Sequence, residues 1–384
     1  MSYLEYSIRR VPSGPGKILY LDWALIVLLV ALAGVGVVML HSVAGGRFDV
    51  WAETHLQRFA FGLAVMVAFA MVPIWVWRGA SGLAYGVAFA LLVAVDLAGA
   101  VGMGAQRWLD LGVIRLQPSE LMKVALVMAL AAYYDWLPPA RISRPLWVLL
   151  PLAIIGLPAA LVLVQPDLGT ALLIIFGGGA VMLAAGVHLG YFAVAIAGAG
   201  GTVTAVFLSR GTPWQLLKDY QYRRIDTFLD PASDPLGAGY HISQAQIALG
   251  SGGWGGRGLM QGTQNRLNFL PERHTDFIFT TLAEEFGFVG AVSLLVLYAL
   301  VVAVCLRIAL ASLDRFSALV CIGIGTTFFL YFAINMGMVM GLAPVVGVPL
   351  PLVSYGGSAM LVIMAAFGIV QSANVHRPRQ RARA

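Results

Sequence analysis

Glu272, Arg273, His274, Asp276, Glu284 and Glu285 all fall within residues 270–285, in a chain of which only 11% is charged. Pro271 precedes the group and suits a loop or a first helical turn, while Phe277, Ile278 and Phe279 suit the start of a membrane-buried helix. Asp276 therefore sits at a boundary between water and lipid. A carboxylate there can ionise, and apolar neighbours can raise its proton affinity, which are the conditions for a general base near neutral pH. The same position also suits a carboxylate that only complements the helix dipole, and this segment alone leaves both roles open.

Other ionisable residues have similar double meanings. Glu120 and Lys123 lie one turn apart at the start of an apolar run and share a helix face. Charge inside a membrane helix costs about 2.5–3.5 kcal/mol by insertion scales, so the pair is either a structural ion pair or faces a cavity. Asp96, in another apolar run, lacks an evident partner and reads as a packing hydrogen bond. Asp167 follows Pro166 and precedes Leu168, Gly169 and Thr170, which suits a helix N-cap as well as a contact to substrate or metal. Arg210, Lys218, Arg223, Arg224, Arg257, Arg266 and Arg273 make residues 210–275 basic, suiting an anionic ligand or lipid headgroups. Within that stretch residues 240–249 read as a short amphipathic helix. The glycine-rich residues 250–258 read as a flexible turn or, less simply, an anion nest.

Several chemistries lack their motifs. The six histidines contain no His-x-x-x-His pair, and neither a P-loop nor a Gly-x-Ser-x-Gly elbow occurs. Cys305 and Cys321 have no metal or redox spacing and read as packing residues.

The elements that position these residues follow from composition. At 384 residues and 60% hydrophobic, the chain exceeds the roughly 45–50% apolar content of soluble domains. Apolar runs of about 20 residues indicate helices rather than a barrel. The sequence predicts an all-α polytopic membrane protein, one integral domain over residues 1–384. Ten spans are expected at 23–40, 59–77, 79–103, 119–134, 146–164, 168–187, 190–209, 276–306, 316–342 and 354–374. The breaks at the Arg78–Ser81 hinge and near His188 are the least marked, and residues 210–275 form one large extracytoplasmic loop.

Arg9, Arg10, Lys17, Arg78, Arg141, Arg144, Arg307, Arg315, Arg377, Arg379, Arg381 and Arg383 then lie on one side, and the short loops opposite hold only Arg47, Arg58, Arg107 and Arg115. By the positive-inside rule both termini are cytoplasmic, and the net charge of +6 reflects orientation rather than nucleic-acid binding. Residues 105–120, the 165–167 turn, the large loop with Asp276, and residues 344–357 all reach the outer side.

Five strings along the chain carry a resemblance: RWLDLGVIRLQPSE, VQPDLGTALL, GSGGWGGRGLMQGTQNRLNFLPERHTDFIF, AEEFGFVG and INMGMVMGLAPVVGVPLPLVSYGGSAML. They resemble the SEDS family of bacterial membrane proteins. Within it, GTQ at 262–264 and PERHTDF at 271–277 resemble the cell-elongation branch rather than the division branch, where PEAHTDF is expected. The resemblance implies a ten-span peptidoglycan glycosyltransferase of the inner membrane that polymerises lipid II on the periplasmic face. It implies a class B penicillin-binding protein as transpeptidase partner, alongside membrane lipid and other elongation-complex membrane proteins. Asp276 maps onto the family's catalytic aspartate, while Glu120, Lys123 and Asp167 map onto polar positions of the outer cavity. Arg115, Arg273 and His274 lie in the matching strings and are expected at the substrate. The residues assign no cofactor; a divalent cation, Mg or Mn, is left open with no ligand assigned.

A lipid II flippase and a recruiting scaffold are the alternatives, but a flippase needs access from both faces and the polar strings gather on one. Glu120 and Lys123 are expected beside the cavity entrance. Gly323, Gly325, Gly337 and Gly341 are expected on a lipid-facing surface that admits the partner's membrane helix.

Overall fold

The computed structural model describes residues 14–98, 100–102, 105–110, 115–230, 238–267 and 272–377. Arg9, Arg10, Arg379, Arg381 and Arg383 of the charge pattern, and Pro271, lie outside the described residues.

Apolar runs become helices because a backbone in lipid must satisfy its own hydrogen bonds. The long helices are α1 (Trp23–Val43), α2 (Ala52–Met71), α3 (Ile74–Ala98), then, after three short strands, α4 (Pro118–Trp136), α5 (Pro145–Val164), α6 (Leu168–Ala185) and α7 (Leu189–Ser209). Three shorter helices, α8 (Asp219–Leu229), α9 (Ala238–Ser251) and α10 (Thr263–Arg266), cross the large loop before α11 (Ile278–Ala311), α12 (Arg315–Val339) and α13 (Ser358–Val375). Nine of the described helices are long and apolar enough to cross a membrane. The remaining long helix, α4, carries Glu120, Lys123 and Asp135, and it is packed among α3, α6 and α12.

Local chemistry sets the helix ends. Asp22, Asp167 and Asp314 accept from the backbone N–H of Leu25 (3.2 Å), Thr170 (3.1 Å) and Ser317 (2.8 Å), which starts α1, α6 and α12. The expected hinge at Arg78–Ser81 is misplaced: the chain breaks at Val72–Pro73, with Val72 extended (φ −72°, ψ 129°). Proline lacks an N–H and disfavours a helical residue before it, so α3 begins at Ile74 and Arg78 lies inside it, paired with Asp135 at 2.8 Å.

The third span also ends earlier than expected. Residues 100–102 form a strand, not helix, in an antiparallel sheet of β1 (Ala100–Gly102), β2 (Ala105–Asp110) and β3 (Arg115–Leu116). Glycines at 99, 102 and 104 each weaken a helix by about 1 kcal/mol, and β2 supplies a ladder instead.

The two ends of the described chain meet. Lys17 Nζ donates to the Met71 carbonyl at 3.1 Å and to His376 Nε2 at 3.0 Å, while the Asp22 N–H donates to Gln371 Oε1 at 2.8 Å. Both cysteines are free and buried, as packing residues are. No residue of α7 is buried.

Two expectations about glycine are corrected. Gly323 and Gly325 are buried, and a Cβ there would meet Val127 and Val181, or Cys305, so they close the bundle rather than face lipid. Gly337 and Gly341 likewise approach Ala343 and Gln246.

The glycine-rich turn is neither an anion nest nor a loose loop. Helix α11 kinks at Gly287 (φ 64°, ψ −161°), and the backbone groups released there are satisfied by the turn. Phe288 and Val289 N–H donate to the Gly253 (2.8 Å) and Trp254 (3.2 Å) carbonyls, and Arg257 and Gly258 N–H donate to those of Glu284 and Glu285, both at 3.0 Å. A Cβ on Gly256 would collide with the Glu285 carbonyl, which is why the turn needs glycine.

Candidate active site

Asp276 lies in a turn immediately before α11. The turn is closed by Thr275 and Phe277 N–H donating to the Glu272 carbonyl at 3.1 and 3.3 Å, with Glu272 at φ 50°. Three side contacts pin it against residues 344–357. Asn335 Nδ2 donates to the Asp276 carbonyl at 3.0 Å and to that of Val348 at 2.7 Å. Ser354 Oγ donates to the Thr275 carbonyl at 2.5 Å while accepting from Leu350 N–H at 2.8 Å. The Tyr355 N–H donates to the His274 carbonyl at 2.9 Å.

The Asp276 carboxylate faces Gly347, where a Cβ would lie 3.5 Å from Oδ2. Burial, with a smaller contribution from the negative charge of Glu272, pushes its pKa up to about 6. It is therefore largely ionised at pH 7 yet basic enough to accept a proton. His274 stacks on Trp51, with ring centroids 4.7 Å apart and planes at 9°. Burial holds its pKa below the ordinary histidine value, so the ring is neutral at pH 7.

Glu120 and Lys123 are deeper than expected, at 6% and 3% exposure, and are corrected from the cavity entrance to the bundle interior. Lys123 Nζ donates to Glu120 Oε1 at 2.6 Å and also contacts the Tyr331 hydroxyl, which donates to Glu120 Oε2 at 2.5 Å. An apolar-walled cavity of about 30 Å³ adjoins the pair, room for a single water. Both groups are compensated, as charges at this depth must be.

Asp167 caps α6 and has two further neighbours, Gln117 Nε2 at 3.4 Å and Arg107 Nη1 at 3.8 Å. Arg107 also clamps the preceding turn, donating to the Gln165 (3.1 Å) and Pro166 (2.5 Å) carbonyls. Asp96 does have a partner, Gln165 Nε2 at 2.8 Å. One residue into α6, a Cβ on Gly169 would collide with Val348 and approach the Val346 carbonyl at 3.0 Å. The start of α6 thus abuts the segment whose Gly347 faces Asp276.

Asp276, Asp167, Glu120 and Lys123 are brought to one end of the bundle around Tyr331, Asn335 and residues 346–348. Arg115 is exposed on β3, opposite Asp110 in the ladder and outside that buried network. Arg273 is partly buried and lines a cavity together with Trp51 and the connection between α1 and α2. Glu284 and Glu285 are framework: Glu284 Oε1 accepts from Thr263 N–H (2.7 Å), Thr263 Oγ1 (2.9 Å) and Gln264 N–H (3.2 Å), and Glu285 Oε1 accepts from Ser42 Oγ at 2.5 Å.

Tyr331, Asn335, Ser354 and Arg107 escaped the sequence reading. Asn335 alone carried a signal, a fully buried amide in an apolar helix. Among the described residues no three His, Cys, Asp or Glu side chains converge on a metal-sized site.

A multi-helix membrane protein with a basic aspartate at one end of its bundle is the class these features define. The profile of the FtsW/RodA/SpoVE family, described as cell cycle protein, matches residues 22–379, and the chain belongs to this family, the SEDS proteins. It is 43% identical over 360 residues to the peptidoglycan glycosyltransferase MrdB of Escherichia coli K12, covering 93% of this chain and 94% of that one. The fold matches RodA of Thermus thermophilus with a TM-score of 0.66 at 29% identity, over 92% of this chain and 96% of that one. A chain from a structure described as the structural coordination of polymerization and crosslinking by a peptidoglycan synthase complex matches with a TM-score of 0.77 at 32% identity, over 92% and 97%.

Proposed function

We propose that this chain is a peptidoglycan glycosyltransferase that polymerises lipid II into glycan strands during cell elongation. The observation that carries the reaction is Asp276: a half-buried carboxylate with a pKa of about 6, in a turn anchored by Asn335 and Ser354. The growing chain is the donor, linked α to its polyprenyl diphosphate, and the 4-hydroxyl of the next lipid II is the acceptor. Asp276 takes the hydroxyl proton as that oxygen attacks the anomeric carbon, and the diphosphate leaves from the opposite face. One displacement inverts the centre to a β-linkage, with no covalent carboxylate intermediate.

His274, neutral and stacked on Trp51, orients the turn rather than competing as the base. Arg273, Arg115 and Asp167 face the substrate with it; Glu120 and Lys123 hold the wall behind. An Mg²⁺ or Mn²⁺ ion arriving with the substrate would be held by its phosphates and the Glu272 carboxylate, where it would offset the charge of the leaving diphosphate and leave Asp276 free as the base.

The protein lies in the inner membrane with both termini cytoplasmic and Asp276 periplasmic, a reading supported by the positive-inside pattern of Arg141, Arg144, Arg307 and Arg315. The partner is a class B penicillin-binding protein, in line with the peptidoglycan synthase complex that contains a similar chain. Its helix docks on the exposed apolar face of α11 at Leu295, Val296 and Leu300. A flippase would need the buried Glu120–Lys123 pair to open toward substrate, but Tyr331 closes it.

Purified chain with its partner is expected to convert lipid II into long glycan, and Asp276→Asn to stop it. Polymerisation by Asp276→Asn at the wild-type rate would end the assignment.

A further inference from the structure

Arg273, three residues before Asp276, lines a cavity of about 430 Å³ between the α1–α2 connection and the segment before α11. Arg47, Arg266 and Arg273 reach it from three separate segments, and no carboxylate is among its lining residues. Among the described residues neither Arg47 nor Arg266 forms an ion pair. The guanidinium groups of Arg47 and Arg266 repel each other in one concavity unless an anion sits between them.

The walls are held in place by two buried glutamates of α11 and by a ring stack. Glu284 fixes Thr263 and Gln264, and with them the short α10 that ends in Arg266. Glu285 fixes Ser42, in the last turn of α1 just before the connection that bears Arg47. Trp51, a third wall, is stacked by His274, two residues from Asp276. Arginine forks are suited to phosphoryl oxygens, which they bind in bidentate fashion.

We propose that this pocket binds the diphosphate of a lipid-linked substrate, with Arg47, Arg266 and Arg273 donating to its oxygens. The proposal rests on the glycosyltransferase function above and names the group that holds the charge released there. Two diphosphates are available, that of the growing chain and that of the incoming monomer. Their chemistry is the same.

Farnesyl diphosphate, titrated calorimetrically into the purified full chain in detergent, tests the pocket without turnover. Arg47→Gln and Arg266→Gln should each weaken its binding by about tenfold, the scale of one charge-assisted hydrogen bond. Both side chains are exposed, so neither change empties a packed site. Lys218→Gln, on the same basic loop but outside the pocket, should bind as wild type. Unchanged affinity in both arginine variants overturns the proposal, as does an equal loss in Lys218→Gln, which would mean bulk attraction only. If the arginine variants lose binding while Asp276→Asn still polymerises lipid II, the pocket stands and the catalytic assignment falls. Product length then distinguishes the sources: a weakened hold on the growing chain gives shorter glycans, and a weakened hold on the monomer raises KM for lipid II at unchanged length.

Discussion

Tyr331 and Asn335 stand one helical turn apart on α12 and grip the two halves of the site. The Tyr331 hydroxyl donates to Glu120 at 2.5 Å, and the Asn335 amide donates to the Asp276 carbonyl at 3.0 Å. Helix α12 therefore sets the separation between the buried ion pair of α4 and the Asp276 turn before α11, since residues four apart share one helix face.

Asp276→Asn keeps the shape of the side chain but not its basicity. General-base catalysis typically supplies about a hundred- to ten-thousandfold, so lipid II polymerisation by the purified variant is expected to fall by that order, with partner binding and thermal stability retained. His274→Gln is expected to be much milder.

The pH profile should have an acid limb near 6. Asp276 must be deprotonated to act, so the rate falls as pH drops through its raised pKa of about 6. Glu272 contributes to that elevation, hence Glu272→Gln should move the limb to lower pH. Burial is the larger cause, so the limb should stay above the ordinary aspartate range. A limb that shifts upward would contradict this electrostatic account.

Asn335→Leu removes one amide that serves two carbonyls, those of Asp276 and Val348. Leaving buried acceptors unpaired costs about 1–3 kcal/mol each, so the melting temperature should fall. As a positioning residue it should lower kcat more than it raises KM. Loss of stability with kcat intact would make it scaffold only.

Breaking the buried pair by Glu120→Gln or Lys123→Met is expected to destabilise by about 3–5 kcal/mol, because each leaves an uncompensated charge. The double variant should recover part of that loss. Thermal unfolding of the three proteins reads this, and strictly additive losses would show that the pair does not interact.

Orientation is tested by single cysteines at exposed loop positions such as Thr212 and Trp214. An impermeant thiol reagent should label them in intact spheroplasts. Labelling only after permeabilisation would invert the topology.

Much of this protein is determined by local sequence. Apolar runs specify the long helices, aspartates at 22, 167 and 314 cap three of them, and Pro73 ends α2, since each of these effects acts within a few residues. The hinge expected at Arg78 shows the limit of reading breaks from charge, because a lone arginine stays helical when an aspartate such as Asp135 comes to it. The place of Asp276 at a polar-to-apolar boundary, just before α11, was also legible.

What faces what was decided only by tertiary packing. Gly323 and Gly325 read as a lipid-facing stripe, yet Val127, Val181 and Cys305 occupy the space beside them. Glu120 and Lys123 lie deep because Tyr331, more than two hundred residues away in sequence, satisfies them, and Arg47 joins Arg266 and Arg273 across a similar distance. An isolated apolar helix has nearly the same hydrophobicity on every side, so its sequence does not specify its rotation. Close packing and the need to satisfy each buried polar group select that rotation, and both depend on neighbours the local sequence does not contain.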